Sequence, residues 1–299
     1  MSSSVIISEN LTKFYKKELG VAELDLEVNK GEVFGYLGPN GAGKTTTIRL
    51  FLDFIHPTTG SVQIFGWDAH THSQNIRQRI GYLPGELELY GNLTGSEFLI
   101  YLANLRGGVD WNYVENLAIR FKSDLSRPLK SLSHGNKQKI GLIQAFMHRP
   151  ELLILDEPTI GLDPIIQQEF YSLVSEVKAE GCTVFLSSHI LPEVERICDR
   201  VAIIREGRLV DVEKISEMKI KRLHHFEVHF GEKVLEESFN QVEGVVETRM
   251  DDNILYCKVK GSPDSLIKVL AHYKVNNIVC HEPSLEEVFL TYYQTEEKL

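Results

Sequence analysis

The sequence predicts an α/β domain over about residues 1–211, followed by a small α+β domain over residues 212–299. Three observations lead there. Through the first two thirds of the chain, short apolar runs alternate with helical patterns, as in a sheet whose strands are separated by helices. A glycine-rich loop, residues 38–45, stands between one such run and a helix. Beyond Asp211 the pattern becomes β-α-β-β-α-β-α, which resembles a ferredoxin-like unit with an extra helix. The length of 299 residues fits two domains of about 150 each.

Taken in order, residues 33–37 form a buried strand that ends at the loop, and residues 44–54 a helix after it. Residues 61–65 and 80–83 are further short strands. Thr94-Gly95-Ser96-Glu97 is a capping box opening a helix through Leu105, and helical patterns then dominate to residue 147, a helical insert. Residues 152–155 form another buried strand. A helix begins with Asp163 as N-cap and Pro164 in its first turn, and ends near Gly181. Residues 183–187 are the next strand, and 201–204 with 208–210 a hairpin through Glu206-Gly207. In the second domain we expect strands at 226–230, 245–249, 254–259 and 275–280. Helices are expected at 232–240 and 263–273, and a last one follows the capping box Ser284-Leu285-Glu286-Glu287.

Composition narrows the function classes. Hydrophobic residues make up 42% and charged residues 25%, a globular balance. The net charge of −10 argues against a nucleic-acid platform, which needs many cationic contacts to phosphate. Cys182, Cys198, Cys257 and Cys280 lack zinc-ligand spacing and read as packing thiols. His224, His225 and His229 alternate along a strand without a completing ligand, so no metal is expected there. No secretory signal and no apolar run of about 18 residues is evident, so any membrane part is expected from another chain.

The loop Gly38-Pro39-Asn40-Gly41-Ala42-Gly43-Lys44-Thr45 has the GxxxxGK[ST] form. Its glycines let successive N–H groups turn toward phosphate oxygens, and the helix behind adds a positive dipole end. Lys44 is placed to neutralise terminal phosphates, and the Thr45 hydroxyl to ligate Mg²⁺. Four apolar residues then deliver Asp156 and Glu157 to a strand end. Asp156 can hold Mg²⁺ through water, and Glu157 can orient or deprotonate an attacking water.

Between these motifs stands Leu132-Ser133-His134-Gly135-Asn136, similar to the Leu-Ser-Gly-Gly-Gln signature of ATP-binding cassette transporter subunits. Gly161-Leu162-Asp163 resembles that family's D-loop, and Ser187-Ser188-His189 its switch-histidine segment. The chain thus resembles the nucleotide-binding subunit of an ABC transporter over about residues 5–211. Its C-terminal part resembles that of the bacitracin and lantibiotic exporter branch.

The resemblance implies a RecA-like P-loop core with an antiparallel β subdomain and the helical insert over 94–147. It implies ATP and Mg²⁺ as ligands, a second ATP-binding subunit and a membrane permease as partners, and a place on the cytoplasmic face of the membrane. It assigns Glu157 and His189 to catalysis, and Thr45 and Asp156 to the metal. Nucleotide contacts fall to Tyr15, Asn40, Gly41, Ala42, Gly43, Lys44, Thr45 and Thr46, with Ser133, His134, Gly135 and Asp163 completing the composite site. Phe14 is the alternative to Tyr15 for the adenine ring, one of the two being expected in the core.

Two departures stand out. Gly85 occupies the place of a glutamine that touches Mg²⁺, with Glu86 beside it. His134 and Asn136 replace Gly and Gln in the signature. Three other functions fit the sequence less well. A cassette ATPase acting on ribosomes or DNA would bring a second cassette or a coiled-coil insertion. A GTP switch needs an Asn-Lys-x-Asp motif, whereas Asn136-Lys137-Gln138-Lys139 ends in Lys. A non-hydrolysing regulator is conceivable only through Gly85.

Overall fold

The computed structural model describes residues 4–87, 91–220 and 223–281. The chain divides into two compact units, Met1–Glu213 and Lys214–Leu299.

The first unit holds two sheets. One contains β1 (Ser4–Tyr15), β2 (Glu18–Asn29), β4 (Thr59–Ile64) and β5 (Trp67–Asp68) in the order β2-β1-β4-β5, with antiparallel pairing throughout. Residues 23–28 alternate strictly between charged and apolar side chains, and the apolar ones are buried, as a one-sided strand requires. This alternation marks β2 in the sequence, whereas the burial of β1 is irregular; neither strand was among those expected.

The second sheet runs β10-β9-β3-β8-β7-β6. Its members are β3 (Val33–Leu37), β6 (Ile80–Leu83), β7 (Leu152–Asp156), β8 (Thr183–Ser188), β9 (Arg200–Arg205) and β10 (Arg208–Lys214). β9, β3, β8, β7 and β6 are mutually parallel. β3, β7 and β8 are buried along their whole length, which is why apolar residues dominate their centres, with polar residues at the ends of β7 and β8. Phe185 centres the core: its ring packs 6.0 Å from Phe34, 5.4 Å from Tyr36 and 5.5 Å from Phe51.

Helices α1 (Lys44–Phe51), α2 (Ser73–Gln78), α6 (Pro164–Ala179) and α7 (Leu191–Ile197) accompany this sheet. α1 stops three residues short of the expected Phe54, because Asp53 takes a left-handed backbone with φ 55°. The segment between β6 and β7 is helical: α3 (Gly95–Leu105), α4 (Trp111–Arg120) and α5 (His134–Phe146). Both halves of the Thr94–Glu97 capping box form.

In the second unit, α8 (Ile215–Ile220) precedes a four-stranded sheet. β11 (Leu223–Phe230), β12 (Val245–Asp251), β13 (Ile254–Lys260) and β14 (Val275–His281) lie in the order β12-β13-β11-β14, all antiparallel. With β11 and β13 central and α9 (Asp264–Leu270) linking β13 to β14, this is the strand order of a ferredoxin-like unit. The helix expected at 232–240 is reduced to a 3-10 turn, Glu236–Ser238. Val234 and Phe239 are both buried, and a spacing of five puts them on different faces of an α-helix; an extended path with one turn buries both. The helix expected after Ser284 lies outside the described residues. Among the described residues, no helix is long and apolar enough to cross a membrane.

Candidate nucleotide site

The parallel register gathers the site. Leu37 pairs with Ser188 and Asp156 with Ser187, so the residues following β3, β7 and β8 meet at the carboxyl edge of the sheet, where α/β folds place ligands. The glycine-rich loop leaves β3 there and enters α1 through Gly43, whose φ of 104° and 2.6 Å approach of any added Cβ to the Gly20 carbonyl exclude a side chain. The Ala42 carbonyl accepts a 3.0 Å bond from Gly207 N–H in the β9–β10 turn, which fixes the loop from behind. Asn40 and Gly41 are exposed at its tip.

Lys44 is buried. Its ammonium donates to the Gly38 and Pro39 carbonyls at 2.6 and 3.1 Å, and lies 3.1 Å from Glu157 Oε1. That last contact is an ion pair without hydrogen-bond geometry, so Oε1 has no donor among the described residues. Glu157 Oε2 instead meets His189 Nδ1 at 2.8 Å. Glu157 adopts a left-handed φ of 51°, costing about 1 kcal/mol for a residue of this type. Its N–H bonds to the Ser187 hydroxyl at 3.1 Å, and its carbonyl accepts from Gln138 Nε2 at 3.3 Å, which hold it there.

The Thr45 hydroxyl donates to Asp156 Oδ2 at 2.8 Å, and the Ser187 hydroxyl bonds the other oxygen, Oδ1. β6 pairs alongside β7 as far as Leu83 and Leu155, so the chain next runs past Asp156. A Cβ on Gly85 would stand 3.2 Å from Asp156 Oδ2. The glycine therefore leaves open the flank where a glutamine side chain would lie. Glu86 is exposed.

Ser133 caps α5, its hydroxyl accepting from Asn136 N–H at 3.4 Å. Gly135 lacks a side chain for a local reason: a Cβ would come within 2.3 Å of the Gly161 carbonyl. His134 packs on the same glycine. Asp163 caps α6 through bonds of 3.1 and 3.0 Å from Ile165 and Ile166 N–H, and its other oxygen lies 3.9 Å from Lys139 Nζ. The signature and the D-loop are thus braced together within one chain.

Tyr15 ends β1. A Cβ on Gly20 would touch both its ring, at 3.0 Å, and the Thr46 methyl, at 3.1 Å, so the ring lies close to the start of α1. Phe14 was expected to alternate with Tyr15 between core and surface, but both are half-exposed because the β1–β2 hairpin extends past the core here.

Three contributors carried no role of their own in the sequence. Ser187 and Gln138 hold Asp156 and Glu157 as described. Glu193, on α7, is a buried carboxyl that accepts from the Ser188 hydroxyl at 2.6 Å and bonds Thr159; burial raises its pKa above the usual carboxylate range. It ties the residue before His189 to the segment after Glu157. An acid within an apolar pattern after a strand was the available signal, but its partners depend on the register.

The ABC transporter family model matches residues 21–160. The bacitracin transport ATP-binding protein BcrA of Enterococcus faecalis is 39% identical, covering 81% of this chain and 82% of the relative. The protein of the same name from Bacillus licheniformis is 34% identical over 96% of this chain and 97% of its own length. A solved ATP-binding subunit of an ABC transporter superposes with a TM-score of 0.66 at 30% identity, covering 72% of this chain and 92% of that one. With the phosphate loop, the Asp156–Glu157 strand end and the signature helix gathered on one cassette, the chain belongs to the ATP-binding subunits of ABC transporters and is an ATPase.

Proposed function

We infer that two copies of this chain close around two ATP molecules, drive a separate membrane permease, and reopen when Glu157 promotes hydrolysis. The observation carrying this is the Glu157 carboxylate standing between the Lys44 ammonium and the His189 imidazole, one residue beyond the Thr45–Asp156 pair. Phosphate oxygens of ATP would take the place of the Gly38 and Pro39 carbonyls on Lys44, and the Tyr15 ring would stack on adenine. Residues 40–46 would supply backbone donors to the phosphates.

Thr45 and Asp156 offer hard oxygen donors 2.8 Å apart, a set that fits Mg²⁺ held by the hydroxyl directly and by the carboxylate through water. Bound there, the ion supplies charge neutralisation to the phosphates. Glu157 orients and deprotonates the attacking water, while His189 fixes its carboxylate through Nδ1 and lies where the γ-phosphate would contact its ring.

Among the described residues, the Ser133 hydroxyl is engaged only at its own helix end. The N–H groups opening the 13-residue α5 therefore suit an anion brought by another molecule, the γ-phosphate on a second copy. His134, Gly135 and Asp163 line that closing surface. Relatives named for bacitracin transport support export of a drug, peptide or lipid-like substrate at the cytoplasmic face of the membrane. The test is Glu157→Gln. We expect phosphate release to fall about a hundredfold or more, with ATP binding retained and an ATP-dependent dimer on gel filtration. Wild-type turnover in that variant overturns the assignment.

A further inference from the structure

Asp53, His56 and His70 form a cluster outside the nucleotide motifs. Asp53 follows the end of α1, His56 lies in the connection to β4, and His70 follows β5. Asp53 Oδ1 meets His56 Nδ1 at 3.1 Å and His70 Nδ1 at 2.9 Å, and the two rings pack edge to face with centroids 4.5 Å apart. One potential ligand atom from each of the three lies within 4.8 Å of the others. The carboxylate is mostly buried while both imidazoles are exposed, so the acid is fixed and the rings can turn.

From this geometry we propose that Asp53, His56 and His70 bind a divalent transition-metal ion, zinc in the first instance. Two imidazoles and one carboxylate are the donor set that zinc, cobalt, nickel and copper take, unlike the oxygen-only set that suits Mg²⁺ at Thr45 and Asp156. In a tetrahedral zinc site with bonds of about 2.0–2.1 Å, ligand atoms stand roughly 3.3 Å apart. Both nitrogen–oxygen edges are already near that length, and a small rotation of two exposed rings closes the third. Binding needs each histidine neutral with its proton on Nε2, which leaves Nδ1 for the metal and the fourth position for water. Beside the cluster, the Lys13 ammonium donates to the His56 carbonyl at 2.6 Å. An ion here would tie the end of α1 to the two segments that flank β4 and β5. It would add stability by mass action, separately from ATP binding at the other end of α1.

The test uses the full chain, without an affinity tag, stripped of metal and nucleotide and held in excess Mg²⁺. Zn²⁺ is titrated against a chromophoric chelator at pH 7.5, with a thermal melt at each concentration. We expect one equivalent to bind and to raise the melting temperature. His56→Gln and His70→Gln should each weaken that binding at least about tenfold and abolish the thermal shift, with MgATP hydrolysis unchanged. Co²⁺ should give tetrahedral d–d absorption that both variants lose. Equal zinc affinity in the His56→Gln/His70→Gln double variant, or no binding by the wild-type chain below about 100 μM, overturns the proposal.

Discussion

At position 85 a glycine stands where the family resemblance implies a metal-touching glutamine, and the space it leaves lies against Asp156. Gly85→Gln would set its Cβ 3.2 Å from Asp156 Oδ2, so the carboxylate must give by a few tenths of an ångström. The new amide oxygen would then lie beside the Thr45–Asp156 pair. We expect hydrolysis to persist and the Mg²⁺ concentration for half-maximal rate to fall severalfold; an unchanged or raised requirement would show that the flank is not part of the metal site. The residues we propose for the chemistry are legible because their types and spacing are local: Lys44 and Thr45 in one loop, Asp156 and Glu157 at one strand end. Ser187, Gln138 and Glu193 are not, since each acts on a neighbour from another strand or helix. A single sequence does not state which strands are adjacent.

The elements themselves differ in how plainly their sequences announce them. β3, β7 and β8 are buried on both faces and apolar residues dominate their centres, and α3 and α6 carry their caps in sequence. The shortened segment at Glu236–Ser238 was misread because its apolar residues look helical until Phe239 finds Phe230 and Tyr273, 5.8 and 5.6 Å away. Thr94→Ala removes the half of the α3 capping box in which the Thr94 hydroxyl accepts from Glu97 N–H, together with the hydroxyl's own bond to Glu97 Oε2, and keeps the Thr94 N–H bond to Glu97. It should cost about 1 kcal/mol in urea-induced unfolding, whereas Thr94→Ser should cost little.

His148, just beyond α5, supplies a pH test of the same kind. Burial, aided by the Arg106 guanidinium, pushes its pKa down to about 4 against the bond to the Ile80 carbonyl, and its Nδ1 has no partner among the described residues. The unfolded chain takes up this proton near pH 6.5; the folded chain refuses it until about 4. The stability is therefore full above pH 6.5 and drains away as pH falls toward 4, by on the order of 2 kcal/mol after allowance for partial exposure. His148→Gln should lessen the loss of unfolding free energy between pH 7 and pH 4.5 by that amount. An identical loss in the variant would remove His148 as its cause.

For the whole molecule, we propose that one catalytic site takes parts from two chains. Within one chain the loop, Asp156, Glu157 and His189 are together, while the Ser133 helix end is braced to the D-loop and spends its hydroxyl on its own cap. The most direct measurement is ATP hydrolysis by mixed variants. Lys44→Ala lacks a working phosphate loop, and Ser133→Arg a working signature, at the further cost of about 1 kcal/mol for the lost cap. Each alone should hydrolyse at least about tenfold more slowly than wild type, with the Ser133 variant still binding ATP. Mixed together, they can form a dimer in which the loop of the Ser133 variant faces the intact signature of the Lys44 variant, so activity should return. Full hydrolysis by Ser133→Arg alone, or no recovery at any mixing ratio, would contradict a site shared between two chains.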